Sequence, residues 1–295
     1  MKKIIFALLA MISVSAGVNA EILYRVSGNG AKGDSYVFGT HHIAPTTMLD
    51  SVPGLRQALG EVAAVCGELD MSQMQTSEAQ GVMMRYGMAP QDSLLTMVLT
   101  PEQTDSVNSV FAKYTNGQLT NAVEQMATLN PAMVSIQIAA LESMVAFPGF
   151  DPSQQLDTMI QNIAREEGKT VLALETVEQQ MKILLCGSIS LQVADLMEAV
   201  ADDMSGKALE TAQKMADAYI GQDVDEIGVI MNNETKDAEA RNRIIYLRNA
   251  NWAGQLPAIF AENPTFVAVG AAHLPGEKGL LQLLREQGYT VEPVK

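Results

Sequence analysis

The chain has 295 residues and a formal charge of -15, with 34 Asp and Glu against 19 Lys and Arg, a balance that speaks against nucleic acid or anionic membrane as a partner. Aromatic residues make up only 5% and methionines number 18, so the core must be built from Leu, Ile, Val, Ala and Met. The length allows one large domain, and the three histidines and two cysteines leave few side chains for metal or thiol chemistry.

Residues 1–20 read as a secretory signal: Lys2-Lys3, an apolar run from Ile4 to Val14, and Val18-Asn19-Ala20 as the small-residue cleavage site. Its removal leaves 17 basic against 34 acidic residues and predicts an exported protein, periplasmic or extracellular, of charge -17. No later apolar run approaches the roughly 18 residues that a membrane span needs.

Ser35-Tyr36-Val37-Phe38 reads as a strand that ends in Gly39-Thr40-His41-His42. A helix over Val52 to Leu59 follows, stopped by Gly60, and then an apolar strand, Val62 to Cys66, that ends in Gly67-Glu68-Leu69-Asp70. From Met71 to Ala146 the pattern is helical, with Thr100-Pro101-Glu102-Gln103 as a start signal. Met71, Met74, Met83, Met84 and Met88 there read as core packing, with a flexible apolar groove as the other reading. The helix–glycine–strand unit then recurs as Leu156 to Glu167, Gly168 and Thr170 to Leu174, closing on Glu175-Thr176.

A second helical stretch, Val193 to Phe260, leads to the strand Phe266-Val267-Ala268-Val269 and the phrase Gly270-Ala271-Ala272-His273. The unit appears a third time as Gly279 to Gln287, Gly288 and Thr290-Val291. This grammar predicts an α/β fold: a mixed, largely parallel central sheet from two duplicated half-units, with an inserted helical cap. Residues 21–295 are read as a single domain with helical insertions at about 71–150 and 186–262. Gly276-Glu277-Lys278-Gly279 lacks the order of a phosphate-binding loop, which argues against a nucleotide site.

Two strands thus end in His and two in Glu, at the sheet edge where α/β proteins gather functional groups. His42, His273 and Glu68 together make a two-imidazole, one-carboxylate set suited to zinc, manganese or cobalt, with positions left for water and substrate. Glu175, and behind it Asp70, would act as general base or as a support for a ligand; Glu175 also reads as the residue before a capping box at Thr176–Gln179. His41 is a further candidate ligand or a core histidine facing the other way. Arg241 would hold a substrate carboxylate or an oxyanion, or is a helix-surface charge, and Asp157 reads first as a helix cap. Cys66 and Cys186 are read either as a disulfide or as two buried thiols.

Several phrases, taken in order, resemble the TraB/GumN family: Phe38-Gly-Thr-His-His42, Cys66-Gly-Glu-Leu-Asp70, Glu167 to Gln179, Arg241-Asn242-Arg243, and Gly270-Ala-Ala-His-Leu-Pro-Gly276 through Val294. That family is related to the Tiki-type metalloproteases, and its fold to erythromycin esterase and ChaN-like proteins. The resemblance implies metal ligands at His42, Glu68 and His273, with Glu175, the pair Arg241 and Asn242, and Asp157 in supporting or catalytic places. It implies a divalent metal ion as cofactor and a peptide or protein substrate. The second expectation it carries is a binding protein without catalysis, sequestering a peptide signal, haem or metal.

Overall fold

The structure is a computed structural model that describes residues 21–147, 149–234 and 237–295, so the signal reading of residues 1–20 lies outside the described residues. Six strands form one sheet: β1 (Leu23–Ser27), β2 (Ser35–Thr40), β3 (Ala64–Gly67), β4 (Thr170–Ala173), β5 (Thr265–Gly270) and β6 (Thr290–Pro293), in the order β4-β3-β5-β2-β1-β6. β4, β3, β5 and β2 are mutually parallel, and β1 runs antiparallel to both of its neighbours. The expected α/β class with a largely parallel sheet is what the chain adopts. The strand that periodicity did not reveal is β1, which pairs Leu23 with Phe38 and carries the edge strand β6 on its far side.

β2 and β3 are buried along their whole length, as parallel strands covered on both faces must be. Phe38, Val65, Phe266 and Val267 lie in the main core, beneath Leu156 and Ile160 of the helix Leu156–Glu166 and Trp252 and Leu256 of the helix Leu247–Glu262. The helices Pro101–Tyr114, Pro131–Ala146 and Ile189–Ser205 enclose a separate apolar cluster that includes Val107, Ile138 and Leu196. Among the described residues no single helix is long and apolar enough to cross a membrane.

Local signals worked where they had a steric basis. Thr100 and Thr176 each form a capping box, with Gln103 and Gln179. Gly168 and Gly288 take the left-handed conformation at helix ends, with φ +72° and +91°. Gly60 does not stop its helix, which spans Leu55–Glu61 and ends one residue later. Cys66 is buried in β3 and Cys186 follows the helix Val177–Leu184; both are free thiols.

Candidate functional site

Because the four inner strands run the same way, their carboxyl ends deliver side chains to one edge in the order Glu175, Glu68, His273, His42. Pairing continues beyond β3 and β4: the amide of Leu174 donates to Gly67 O at 3.0 Å and that of Glu175 to Glu68 O at 2.9 Å, which sets the two acids side by side. At the other inner pair, Thr40 of β2 is in register with Gly270 of β5. The Gly270 amide then donates to Glu68 Oε1 at 2.8 Å, so the second histidine phrase also fixes the acid.

His273 is buried, and its orientation can be deduced atom by atom. Asn249 Nδ2 donates to the carbonyls of His273 and Lys278, so Asn249 Oδ1 is the acceptor that faces His273 Nδ1 at 2.7 Å. Nδ1 therefore carries the hydrogen, and Nε2 presents a lone pair. Burial pushes the ring pKa down to about 4, which keeps that lone pair free of a proton at neutral pH.

His42 is held differently. Its Nδ1 lies 2.9 Å from Asp157 Oδ2, while Thr40 Oγ1 donates to Asp157 Oδ1 at 2.8 Å. The Asp157 carboxylate raises the His42 pKa to about 9, and 67% of the side chain stays open to solvent, against 10% for Glu68. Asp157 is thus a partner of His42. The cap reading of Asp157 gives way to this, because the helix begins after Gln155 with no side-chain cap.

Between the acids and His273 stands Arg248, which the sequence reading overlooked. Its Nε donates to Glu175 Oε1 at 2.9 Å and its Nη2 to Glu175 Oε2 at 2.9 Å, a side-on pair. Nη2 also reaches Glu68 Oε2 at 2.5 Å, and Nη1 donates to His273 Nε2 at 3.0 Å. Trp252 lies one helical turn on, with its ring 4.6 Å from the guanidinium carbon and its Nε1 donating to Glu175 Oε1 at 3.1 Å. Burial works against the charge on Glu68, yet His273, Arg248, His42 and the Gly270 amide together hold its carboxyl below the ordinary range.

The other expected residues separate. Arg241 donates to the carbonyl of Asn232 and lines a different groove of about 600 Å³ beside Tyr246, Pro275 and Lys278, and Asn242 opens the π-helical turn Asn242–Tyr246. The Arg-Asn pair at the site is Arg248-Asn249, seven residues on. The wide π turn adds a residue and so rotates the following helix by about 100° relative to an unbroken one, which turns Arg248, Asn249 and Trp252 to the sheet edge. A signal was available: a second Arg-Asn dipeptide inside an apolar helix, with Trp252 four residues after the arginine.

Asp70 caps the short helix Met71–Gln75 and pairs with Arg165, away from the imidazoles. His41 packs its ring 4.7 Å from Phe147 and 5.5 Å from Tyr219, where burial pushes its pKa down to about 4; it is the core-facing neighbour of His42. The Glu175 side chain reaches the site through Arg248 and Trp252. With both oxygens so engaged, its place is to support the arginine.

A cleft of about 200 Å³, lined by His42, Glu68, Met71, Met74, Asp157 and Gln180, opens onto this edge. Among the described residues no three His, Cys, Asp or Glu side chains stand close enough together to hold a metal ion. The donor chemistry nevertheless suits one: each imidazole is fixed through Nδ1 by a neighbouring oxygen, so His273 Nε2 offers its lone pair directly, His42 Nε2 offers one once a cation displaces its proton, and Glu68 adds a carboxylate. Glu68 Oε1 and His273 Nε2 lie 4.0 Å apart, and the Arg248 guanidinium spans Glu68 Oε2 and His273 Nε2.

The family model described as TraB/PrgY/gumN family matches residues 22–293. Metalloprotease TIKI1 of Danio rerio is 24% identical over 306 residues, an alignment that covers 88% of this chain and 60% of that protein. Metalloprotease TIKI2 of Danio rerio is 39% identical over 59 residues, covering 19% of this chain and 11% of that one. The chain therefore spans less than two thirds of the length of these curated relatives. No solved structure matches the chain.

Proposed function

The chain belongs to the TraB/PrgY/gumN family, and on that premise and the geometry of its sheet edge we propose that it is an exported, metal-dependent hydrolase that cleaves peptide bonds. One observation carries the reading. Two strand-end histidines, each held at Nδ1 by an oxygen acceptor, share the sheet edge with a carboxylate of depressed pKa. A merely structural histidine needs no such matched support, whereas metal ligands are regularly fixed this way. The likeness to a protein named as a metalloprotease supports the same reading. Export rests on the leader-like first twenty residues.

His42, Glu68 and His273 would hold the ion. When bound, a divalent cation supplies a water acidified toward neutral pH and a Lewis acid for the carbonyl. The rest belongs to the side chains. Asp157 and Asn249 orient the imidazoles, and Gln180 Nε2, 3.1 Å from Glu68 Oε2, steadies the carboxylate. Arg248, anchored on Glu175, brings a permanent positive charge to the edge where an oxyanion would develop. Met71 and Met74 form an apolar wall beside Glu68, a surface that accommodates varied apolar side chains of a peptide.

Metal uptake by the protein purified without a polyhistidine tag tests the ligand assignment. Wild type binds one equivalent of manganese, cobalt or zinc, and His42→Ala, Glu68→Ala and His273→Ala each lose it. Equal uptake by all four proteins would place the metal elsewhere.

A further inference from the structure

The position between Glu68 and His273 is filled by a cation that belongs to the chain. Arg248 uses the two ends of its fork differently. Nε and Nη2 grip Glu175 side-on, at 2.9 Å each, and Trp252 covers the guanidinium face and bonds to the same carboxylate. The remaining reach of Nη2 goes to Glu68 Oε2, and Nη1 goes to His273 Nε2. These last two acceptors are the ones assigned above to a metal ion. His273 has a single lone pair to give, because its Nδ1 hydrogen is committed to Asn249.

We propose that Arg248 is a resident counter-cation: it holds Glu68 and His273 when no metal is bound, and a divalent ion takes those two donors only by exchange with the guanidinium. The inference rests on the metal-ligand reading of His42, Glu68 and His273. Its physical basis is charge compensation. Glu68 and Glu175 lie side by side with little solvent, and buried carboxylates without a cation are strongly unfavourable. Arg248 meets that need in the metal-free protein, and Glu175 with Trp252 retains it by its Nε edge when Glu68 and His273 are released. One N–H of Nη1 then becomes available to an anionic oxygen of the substrate, while the other stays on the Ile244 carbonyl at 3.3 Å.

The test measures affinity and a spectroscopic signal, so it does not need turnover. Zinc is titrated into the full chain, purified without a polyhistidine tag, by calorimetry. The variants are Arg248→Met and the double variant Arg248→Met/Glu175→Gln, in which the loss of one positive and one negative charge cancels. Removing the competitor is expected to tighten binding by at least about tenfold in the double variant, the scale of one or two charge-assisted hydrogen bonds no longer broken on loading. Trp252 is the only tryptophan in the chain and reports on the exchange through its fluorescence; zinc is redox-silent and does not quench it as open-shell ions do. Wild type should show a change in emission that saturates at one equivalent, and the double variant should not show that change. Binding that is equal or weaker in both variants, with wild type still taking one equivalent, overturns the exchange and leaves the hydrolase reading standing. If no protein of the set takes up metal, the metal-ligand reading falls and the inference falls with it.

Discussion

Gly39 lies directly against Ala271. A methyl group on Gly39 would meet Ala271 Cα and Leu274 Cδ1 at 2.9 Å, so the two Gly-x-x-His phrases are packed backbone to backbone. The glycine is required by this approach, and its own φ is not in the left-handed region. The closeness of the phrases is what lets β2 and β5, adjacent and parallel, bring their histidines to one edge.

Gly39→Ala is therefore expected to cost about 1–3 kcal/mol of stability, the usual scale of an overpacked core position. It should also weaken metal uptake, because the His273 turn has to shift. Denaturant unfolding and metal titration on the same preparation check both; a silent substitution would show that the turns are free to separate.

Asp157→Ala should leave the fold in place and reduce metal affinity about 10–100-fold, since His42 loses the group that fixes its Nδ1. Asp157→Asn keeps an oxygen acceptor and should lose less. Calorimetric titration distinguishes this from a cap, whose removal would lower the unfolding midpoint and leave metal affinity alone.

Breaking the Arg248–Glu175 pair from one side should cost about 3–5 kcal/mol, because a buried charge is left without its partner. Glu175→Ala and Arg248→Ala should each show a large fall in unfolding free energy. Arg241→Ala, in the neighbouring groove, should leave zinc affinity unchanged. A loss of zinc affinity in Arg241→Ala equal to that in Glu68→Ala would contradict the assignment of the second Arg-Asn pair.

Glu142 lies apart from the site, buried on the helix Pro131–Ala146, with no hydrogen-bond partner at Oε1 among the described residues. Burial first, and then Asp203, push its pKa from 4.5 to about 7; Asp203 is itself held by Lys113 and Tyr114. The folded state thus binds this proton more tightly than the unfolded chain. The stability it confers is complete below pH 4.5, falls as pH rises toward 7 and is gone above. Glu142→Gln should remove this dependence, gaining about 3 kcal/mol relative to wild type at a pH of about 8 and little at about 4.5. Unfolding free energies that differ by the same amount at both pH values would refute it.

Much of the site was legible because strand ends and glycine turns are local features. His42, Glu68, Glu175 and His273 could be named from apolar runs followed by Gly-x-x-His or by an acid, and the parallel sheet brings those strand ends to one edge. Arg248 was hidden by helix phase. Arg241-Asn242 and Arg248-Asn249 are equivalent as dipeptides, and neither the π turn that separates them nor their two-turn offset along the helix shows in the sequence. Asp157 looked like a cap because its role depends on His42, 115 residues away in the chain. β1 escaped notice because a short strand next to the leader-like residues offers little periodicity, and its place is set by pairing with β2 and β6.

Metal-dependent peptide hydrolysis is proposed at the edge shared by His42, Glu68 and His273. The most direct measurement is cleavage of a defined peptide library, read by mass spectrometry, after chelation and after return of manganese, cobalt or zinc. Wild type should cut only with metal restored, and His42→Ala and Glu68→Ala should not cut under either condition. Cleavage that survives chelation and both substitutions, or one equivalent of bound metal with no peptide cut, would contradict the account.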